Sequence, residues 1–284
     1  MSNKREGNHV FDAQRAQASG MQTRNVMRED FGMEIPVDAA PLPSQGKIYP
    51  EGSAAHNCET LEIRAMTAKD EDILTSRALL KKGTVITALL RSCLVNKAVR
   101  VDQLISGDRN ALMVAVRITG YGSDYEVEIP CPECDVSQKQ SFSLAELPIK
   151  RLEIEPSEPG ENKFTFTLPV SKKVVTFRFL TGADEQNIAL TAERKRKKKL
   201  SGDLDSMVTS RLQAAVVAVD NIEDRSKLAM FVHNMPARDS RALRKFMNDN
   251  EPGIEMKCVM TCESCYESSE VDLPIGTSFF WPDA

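Results

Sequence analysis

Two Cys-x-x-Cys pairs constrain the fold of this 284-residue chain more than any other sequence feature. The first pair is Cys131 with Cys134, and the second is Cys262 with Cys265. Together they supply the four thiolates that a tetrahedral structural Zn²⁺ requires, and such a site has no open position for a substrate. The spacing therefore predicts one shared structural zinc, which is a feature of architecture and not of catalysis.

The cysteines also allow other interpretations. Either pair could be a relic that has lost its metal, and Cys258 could present a thiol beside Cys262. A redox role needs an exposed, low-pKa thiolate at a helix N-terminus, whereas both pairs lie between strand-like segments. The odd total of seven cysteines does not suit a disulfide framework, and the three histidines form no metal-spaced cluster. Cys58 and Cys93 are predicted to be ordinary buried or loop cysteines.

Composition narrows the classes of function. A hydrophobic content of 41% supports a globular core, and the net charge of −4 argues against a general nucleic-acid binder, which is usually basic. No apolar run approaches the ~20 residues that span a bilayer, and the N-terminus lacks the apolar segment of a signal peptide. We therefore expect no membrane association and a reducing cytoplasm as the place of folding. The sequence has no phosphate loop and no nucleophile–base pair, so we expect neither catalysis nor a small-molecule substrate.

The chain contains an internal repeat. Aligning the two cysteine pairs without gaps matches four further residues upstream: Asp108 with Asp239, Ala111 with Ala242, Leu112 with Leu243, and Gly122 with Gly253. Further upstream, LEIRAMTAKDEDI matches VTFRFLTGADEQNI, and each is predicted to be a strand that leads through a capping box into a helix. Asp108 is predicted to be the N-cap residue of the helix before the first cysteine pair.

We therefore predict an α+β fold: an internally duplicated helical unit whose β-hairpin zinc knuckles pair into one zinc-ribbon-like site. The predicted division of the chain is an extended N-terminal arm (residues 1–40), a first repeat (41–150), a linker (151–162), a second repeat (163–276) and an aromatic C-terminal tail (277–284). The arm has few large apolar residues, so it is expected to be mobile in isolation.

Two segments are candidates for contacts with other molecules. The basic run RKRKKK (residues 194–199) lies where the second repeat carries an insertion. It could touch phosphates or an acidic protein surface, but a solvated helix end is the favoured interpretation, because no aromatic stacking residues flank it. The tail residues Phe279, Phe280 and Trp281 either cover the end of the core or dock into a neighbouring protein.

Four segments, in this order, resemble one known family. They are PLPSQGKIYPEG (residues 41–52), LEIRAMTAKDEDIL, SGDRNAL and YGSDYEVEIPCPEC. The chain is similar over these segments to the T4-like phage baseplate proteins, which are hub-associated components of contractile-tailed viruses. The resemblance implies a virion protein without catalysis, assembled in the host cytoplasm into the tail baseplate. It also implies partners among the other baseplate and tail proteins, with the N-terminal arm and the aromatic tail as candidate contacts.

Two other functions fit the same sequence. A zinc-ribbon nucleic-acid-binding or regulatory protein would use the paired knuckles and the basic run, and its affinity would fall steeply with salt. A baseplate assembly chaperone would share most features with a structural component but would be absent from the finished particle.

Overall fold

The computed structural model describes residues 26–28, 34–197, 207–275 and 279–280, and they form a mixed helical and stranded fold with several small sheets. The helices are α1 (Ala68–Thr75), α2 (Arg77–Lys82), α3 (Val85–Cys93), α4 (Ser106–Tyr121), α5 (Gly182–Lys197), α6 (Met207–Ala215), α7 (Arg225–Asn234) and α8 (Ala237–Asn250). The strands are β1 (Val26–Arg28), β2 (Glu34–Pro41), β3 (Thr60–Arg64), β4 (Asp124–Pro130), β5 (Ser137–Ser143), β6 (Ile149–Lys150), β7 (Phe164–Thr167), β8 (Val174–Phe177), β9 (Val216–Val219), β10 (Gly253–Ile254), β11 (Lys257–Thr261) and β12 (Ser268–Asp272). The prediction that helices and strands are mixed is confirmed at this coarse level.

All pairings between these strands are antiparallel. Two three-stranded sheets have the orders β1-β2-β3 and β7-β8-β9, and two hairpins are formed by β4 with β5 and by β11 with β12. The remaining pair joins β6 to β10, with Ile149 opposite Ile254. We call residues 41–150 the N-terminal half and residues 163–276 the C-terminal half. The β6–β10 pair therefore connects the two halves through backbone hydrogen bonds.

A capping box begins α1, as the sequence predicts. The Asp70 carboxylate accepts from the Thr67 amide and hydroxyl at 2.8 Å each, and Arg64 forms a 2.7 Å ion pair with it. The start of α5 has the same arrangement, in which Asp184 accepts from Thr181 and pairs with Arg178 at 2.7 Å. In both cases an arginine at the end of a strand fixes the direction in which the helix leaves the sheet.

These two carboxylates make stability depend on pH. Burial alone would raise the pKa of Asp184, but the hydrogen bonds from Arg178 and Thr181 outweigh it and hold the pKa below its ordinary value. The same balance, with Arg64 as the main donor, lowers the pKa of Asp70. A lowered folded-state pKa stabilises the protein above the unfolded value of about 4, and this stabilisation is lost as the pH falls through the folded-state pKa.

We expect Asp184→Asn to lower the free energy of unfolding by about 1–2 kcal/mol at neutral pH, because it removes charge-assisted hydrogen bonds from a partly exposed pair. Urea unfolding of parent and variant between pH 7 and pH 3 measures the difference, which should shrink toward the acid end. Asp72→Asn, at an exposed carboxylate of α1, is the control and should show a small, flat difference. An Asp184→Asn difference that did not change with pH would contradict this account.

Asp108 is not an N-cap residue, so that prediction is wrong. Helix α4 begins at Ser106, with Ile105 as the N-cap, and Asp108 is fully buried inside the first turn. Its carboxylate accepts from the Ser44 amide at 2.9 Å, the Ser44 hydroxyl at 2.5 Å and the Tyr49 hydroxyl at 2.6 Å. Asp108 therefore holds the loop between β2 and β3 against α4.

The C-terminal half has a matching contact. Asp239 is fully buried in the first turn of α8 and accepts from the amides of Val170 and Ser171 at 2.7 and 2.9 Å. Each bound loop follows a Leu-Pro pair, Leu42-Pro43 in one case and Leu168-Pro169 in the other. In both halves, a carboxylate three residues into a helix thus anchors the loop after a strand.

The aromatic residues near the C-terminus lie in the chain's own core. Phe279 and Phe280 are 0% and 1% exposed, and the Phe279 ring meets the ring of Tyr125 edge-on at 5.2 Å. The fully buried Arg117 of α4 donates from Nε to the Phe279 carbonyl oxygen at 2.7 Å. Of the two alternatives for the tail, Phe279 and Phe280 thus cover the core, and their interpretation as candidate contacts with a partner is wrong. Trp281 lies outside the described residues.

The structure describes only parts of the predicted N-terminal arm and of the basic run. Most of the N-terminal arm and the last two residues of the basic run lie outside the described residues, and the run begins within α5. The segment predicted to be a linker (residues 151–162) contains no helix or strand, and its buried Leu152 donates its amide to the Pro43 carbonyl oxygen at 3.1 Å. Gly160 likewise donates to the carbonyl oxygen of Lys47 at 3.2 Å.

Candidate metal centre

Each cysteine pair lies in the turn of a hairpin, and the two turns have the same hydrogen bonds. In the first, the Cys131 amide donates to the Val136 carbonyl oxygen at 3.0 Å, and the Asp135 amide donates to the Cys131 carbonyl oxygen at 2.9 Å. In the second, the Cys262 amide donates to the Glu267 carbonyl oxygen, and the Tyr266 amide donates to the Cys262 carbonyl oxygen, at 2.9 Å each. We call these turns the first and second knuckle.

A left-handed residue closes each knuckle. Asp135 has a φ of 56° and Tyr266 has a φ of 60°. Aspartate tolerates this conformation better than tyrosine does, because its short side chain can hydrogen-bond locally. The turn therefore follows the Cys-x-x-Cys geometry in the second knuckle even though the residue type disfavours it.

The fold brings the four predicted cysteines together. Their Sγ atoms all lie within 4.8 Å of one another, with 3.8 Å between Cys131 and Cys265 and 3.7 Å between Cys134 and Cys262. A tetrahedron with a Zn–S distance of about 2.3 Å has S–S edges of about 3.8 Å, because the edge is about 1.63 times the centre-to-corner distance. Two of the S–S distances therefore equal the edge of such a tetrahedron, and all four sulfur atoms lie close enough together to share one metal ion.

Hydrogen bonding favours the thiolate at one cysteine of this cluster, Cys262, whereas burial opposes ionisation. Cys131 and Cys262 are buried, and Cys134 and Cys265 are half-buried at the outer side. The backbone amides of Cys265 and Ser264 lower the pKa of the Cys262 thiol to about 6. A backbone hydrogen bond with Val136 lowers the pKa of Cys134. Desolvation and hydrogen bonds with the neighbouring thiols outweigh it and raise this pKa to about 12. A divalent cation would relieve this mutual repulsion between thiolates.

Gln138 connects the two knuckles outside the thiols. Its Nε2 donates to the Thr261 carbonyl oxygen at 3.2 Å, and its Oε1 accepts from the Glu263 amide at 3.0 Å. Gln138 lies on β5, so a side chain of one hairpin positions the cysteine turn of the other. No sequence pattern marked this residue, because its partners are more than 120 positions away.

The remaining cysteines lie apart from the cluster. Cys258 is on β11 opposite Val271, is half-buried, and has its pKa raised by burial. Cys93 is buried at the end of α3, and Cys58 is half-buried in the loop before β3. Among the described histidine, cysteine, aspartate and glutamate side chains, the metal-compatible group is the four-cysteine cluster.

A closed set of four sulfur ligands supports structure and leaves no coordination position for a reacting molecule. Within the residues that the structure describes, no helix is both long and apolar enough to cross a membrane. The arrangement thus suits a scaffold in which the cysteine cluster joins the two halves at a second place, besides the β6–β10 pair.

Comparisons with known proteins identify the family. No curated protein and no solved structure matches this chain. The family model described as "T4 bacteriophage base plate protein" matches residues 39–281. This match includes all four resembling segments and continues through the second knuckle, so it covers most of the sequence. The chain therefore belongs to the T4 bacteriophage base plate protein family.

Proposed function

We propose that this protein is a structural component of a contractile bacteriophage tail baseplate, where it binds other tail and baseplate proteins. The observation that carries the proposal is the family match over residues 39–281, which supports a structural role in the baseplate. The closed cysteine cluster is consistent with that role, because it can stiffen a protein but cannot hold a substrate. On this proposal the protein is not an enzyme.

The proposed cofactor is one structural Zn²⁺ held by Cys131, Cys134, Cys262 and Cys265. Two observations support it: the Cys131–Cys265 and Cys134–Cys262 sulfur distances match edges of a tetrahedral ZnS₄ centre, and Gln138 supplies an outer contact that orients the second knuckle. Each half of the chain contributes two ligands. The metal would therefore tie the two hairpins together, so its binding free energy would stabilise the contact between the halves.

We further propose that the two halves are a duplication, with the two hairpins forming one zinc-ribbon-like unit. Three contacts that recur in both halves support it: the arginine–aspartate capping box, the carboxylate that anchors the Leu-Pro loop, and the knuckle hydrogen bonds. The proposed repeats are residues 41–150 and 163–276, which the segment 151–162 connects.

The proposed location is the tail of the virion, after assembly in the host cytoplasm. A reducing cytoplasm keeps cysteine thiols available for metal binding, so this setting suits an S₄ centre. The N-terminal arm and Trp281 stay candidate contacts with neighbouring proteins. Phe279 and Phe280 do not, because both are buried in the chain's own core.

The test is incorporation into the particle. We expect the protein to be detected by mass spectrometry in purified mature virions, and we expect lysates depleted of it to accumulate incomplete tails that purified protein rescues. Rescue without retention in the particle would indicate an assembly chaperone. A salt-sensitive gel shift with DNA, together with normal tails in the depleted lysate, would instead indicate the nucleic-acid-binding function.

A further inference from the structure

Each half of the chain carries a groove at the same place, beside the arginine of the capping box. The N-terminal groove has a volume of about 710 Å³ and lies between β3, α1 and α3, with Arg64 and Ser92 in its wall. The C-terminal groove has a volume of about 950 Å³ and includes Arg178 and Ala214. Leu94, which follows α3, forms a β-bridge with Ile63 of β3. Strand β9, which follows α6, pairs with β8. The two grooves are therefore built from corresponding elements.

The two grooves differ in charge. Four cationic side chains and no acidic ones line the N-terminal groove, namely Arg64, Lys69, Arg91 and Lys97. The C-terminal groove is lined by three cationic and three acidic residues, namely Lys163, Arg178, Arg225, Glu158, Asp184 and Glu223. The N-terminal groove is therefore basic and the C-terminal groove is balanced in charge, although the whole chain has a net charge of −4.

Two of the four cations are already engaged by the fold. Arg64 pairs with the fully buried Asp70, and the Lys97 ammonium donates to the carbonyl oxygens of Arg91 and Ser92 at 3.1 and 2.7 Å, at the end of α3. Burial, followed by the charge of Arg64, lowers the pKa of Lys97. The four cations of the N-terminal groove thus carry more positive charge than the Asp70 carboxylate, which pairs with Arg64, neutralises.

The other two cations are available. Lys69 and Arg91 are exposed, and within the described part of the chain neither forms an ion pair. The lining of the same groove includes Leu79 and Val95, which are half-buried. A ligand that fits this surface carries carboxylates for the two cations and an apolar side chain for the wall.

We propose that the N-terminal groove binds a short acidic segment of another protein, with carboxylates on Lys69 and Arg91 and one large apolar side chain against Leu79. The inference rests on the proposed function only in taking the donor of that segment to be another tail protein. Charge complementarity selects the occupant, because the balanced C-terminal groove gives an acidic segment no net attraction.

The test is fluorescence anisotropy on the full-length protein with a fluorescein-labelled peptide of glutamates around one leucine. We expect saturable binding that weakens as salt rises. Lys69→Glu combined with Arg91→Glu should weaken it about tenfold or more, a change of about 1.4 kcal/mol. The matched control is Lys163→Glu combined with Arg225→Glu, which makes the same charge change in the other groove and should leave the affinity unchanged. Circular dichroism establishes that both variants fold.

Three results would overturn the proposal. One is an absence of peptide binding, another is an equal loss in both double variants, and the third is tighter binding of a single-stranded oligonucleotide that competes at Lys69 and Arg91. A peptide with serine in place of leucine should bind more weakly, because it lacks the apolar contact. The experiment is independent of particle assembly, so a negative result would leave the baseplate role standing, and failed incorporation would leave the peptide affinity standing.

Discussion

Cys131→Ser is expected to abolish stoichiometric metal binding and to destabilise the protein strongly. The parent, purified without added zinc, should contain about one Zn²⁺ per chain, since four thiolates form one closed site. Structural zinc contributes roughly 10–16 kcal/mol in small zinc peptides. That range is comparable to the whole stability of a typical domain, about 5–15 kcal/mol, so much of the variant is expected to be unfolded or aggregated. Mass spectrometry for metal and thermal unfolding measure the two effects.

The control for this prediction is Cys258→Ser. It makes the same chemical change four residues before Cys262, but at a half-buried thiol outside the cluster. We expect it to retain its zinc and to lose about 1 kcal/mol of stability. A chelator should reproduce the Cys131→Ser effect in the parent and in the control. A parent protein that contains no metal as purified, together with a Cys131→Ser variant that is as stable as this parent, would mean that the knuckles are relics.

Gly107→Ala is the second change with a large expected effect. Gly107 lies in the first turn of α4, where alanine would ordinarily stabilise a helix by about 0.5–1 kcal/mol. A Cβ atom at this position, however, would lie 1.7 Å from the carbonyl oxygen of Pro252 and 3.1 Å from the Cα of Gly253. Both neighbours are backbone and cannot rotate away, so α4 and the start of β10 would have to separate.

We therefore expect Gly107→Ala to lower the free energy of unfolding by about 3 kcal/mol, at the upper end of overpacking costs. Urea unfolding measures the shift. Gly120→Ala, in the same helix, is the matched control, because its Cβ would meet Met66 Cβ at an ordinary 3.6 Å. It should be neutral or slightly stabilising. Equal effects of the two changes would show that the contact between α4 and Pro252 is loose.

The sequence predicted those parts of the fold that depend on residues close together in the chain. The capping boxes at Thr67 and Thr181 follow from a threonine with an aspartate three positions later, and the knuckle turns follow from the Cys-x-x-Cys spacing. The meeting of the two knuckles was also predictable, because four thiolates with metal-ligand spacing imply a common ion.

Features that depend on distant partners were predicted incorrectly or not at all. Asp108 has the residue type and position of an N-cap, but its hydrogen-bond donors, Ser44 and Tyr49, lie about 60 residues upstream. The buried Arg117 looks like an exposed helical arginine until the Phe279 carbonyl oxygen is placed beside it. Local pattern cannot separate these cases from surface residues, because tertiary contacts decide which polar groups are satisfied in the core.

The division of the thiols between the halves affects the order of events during synthesis. Cys265 follows Cys134 by 131 residues, so at about 5–20 residues per second the ribosome needs roughly 7–26 s to make the second pair of ligands after the first. During that time the first knuckle holds two unmatched thiols. On the proposed zinc site, the second knuckle of a neighbouring chain would compete for these thiols through a shared ion, which would give a domain-swapped dimer. On the same proposal, we expect the supply of metal during translation to influence how much of the product is monomeric.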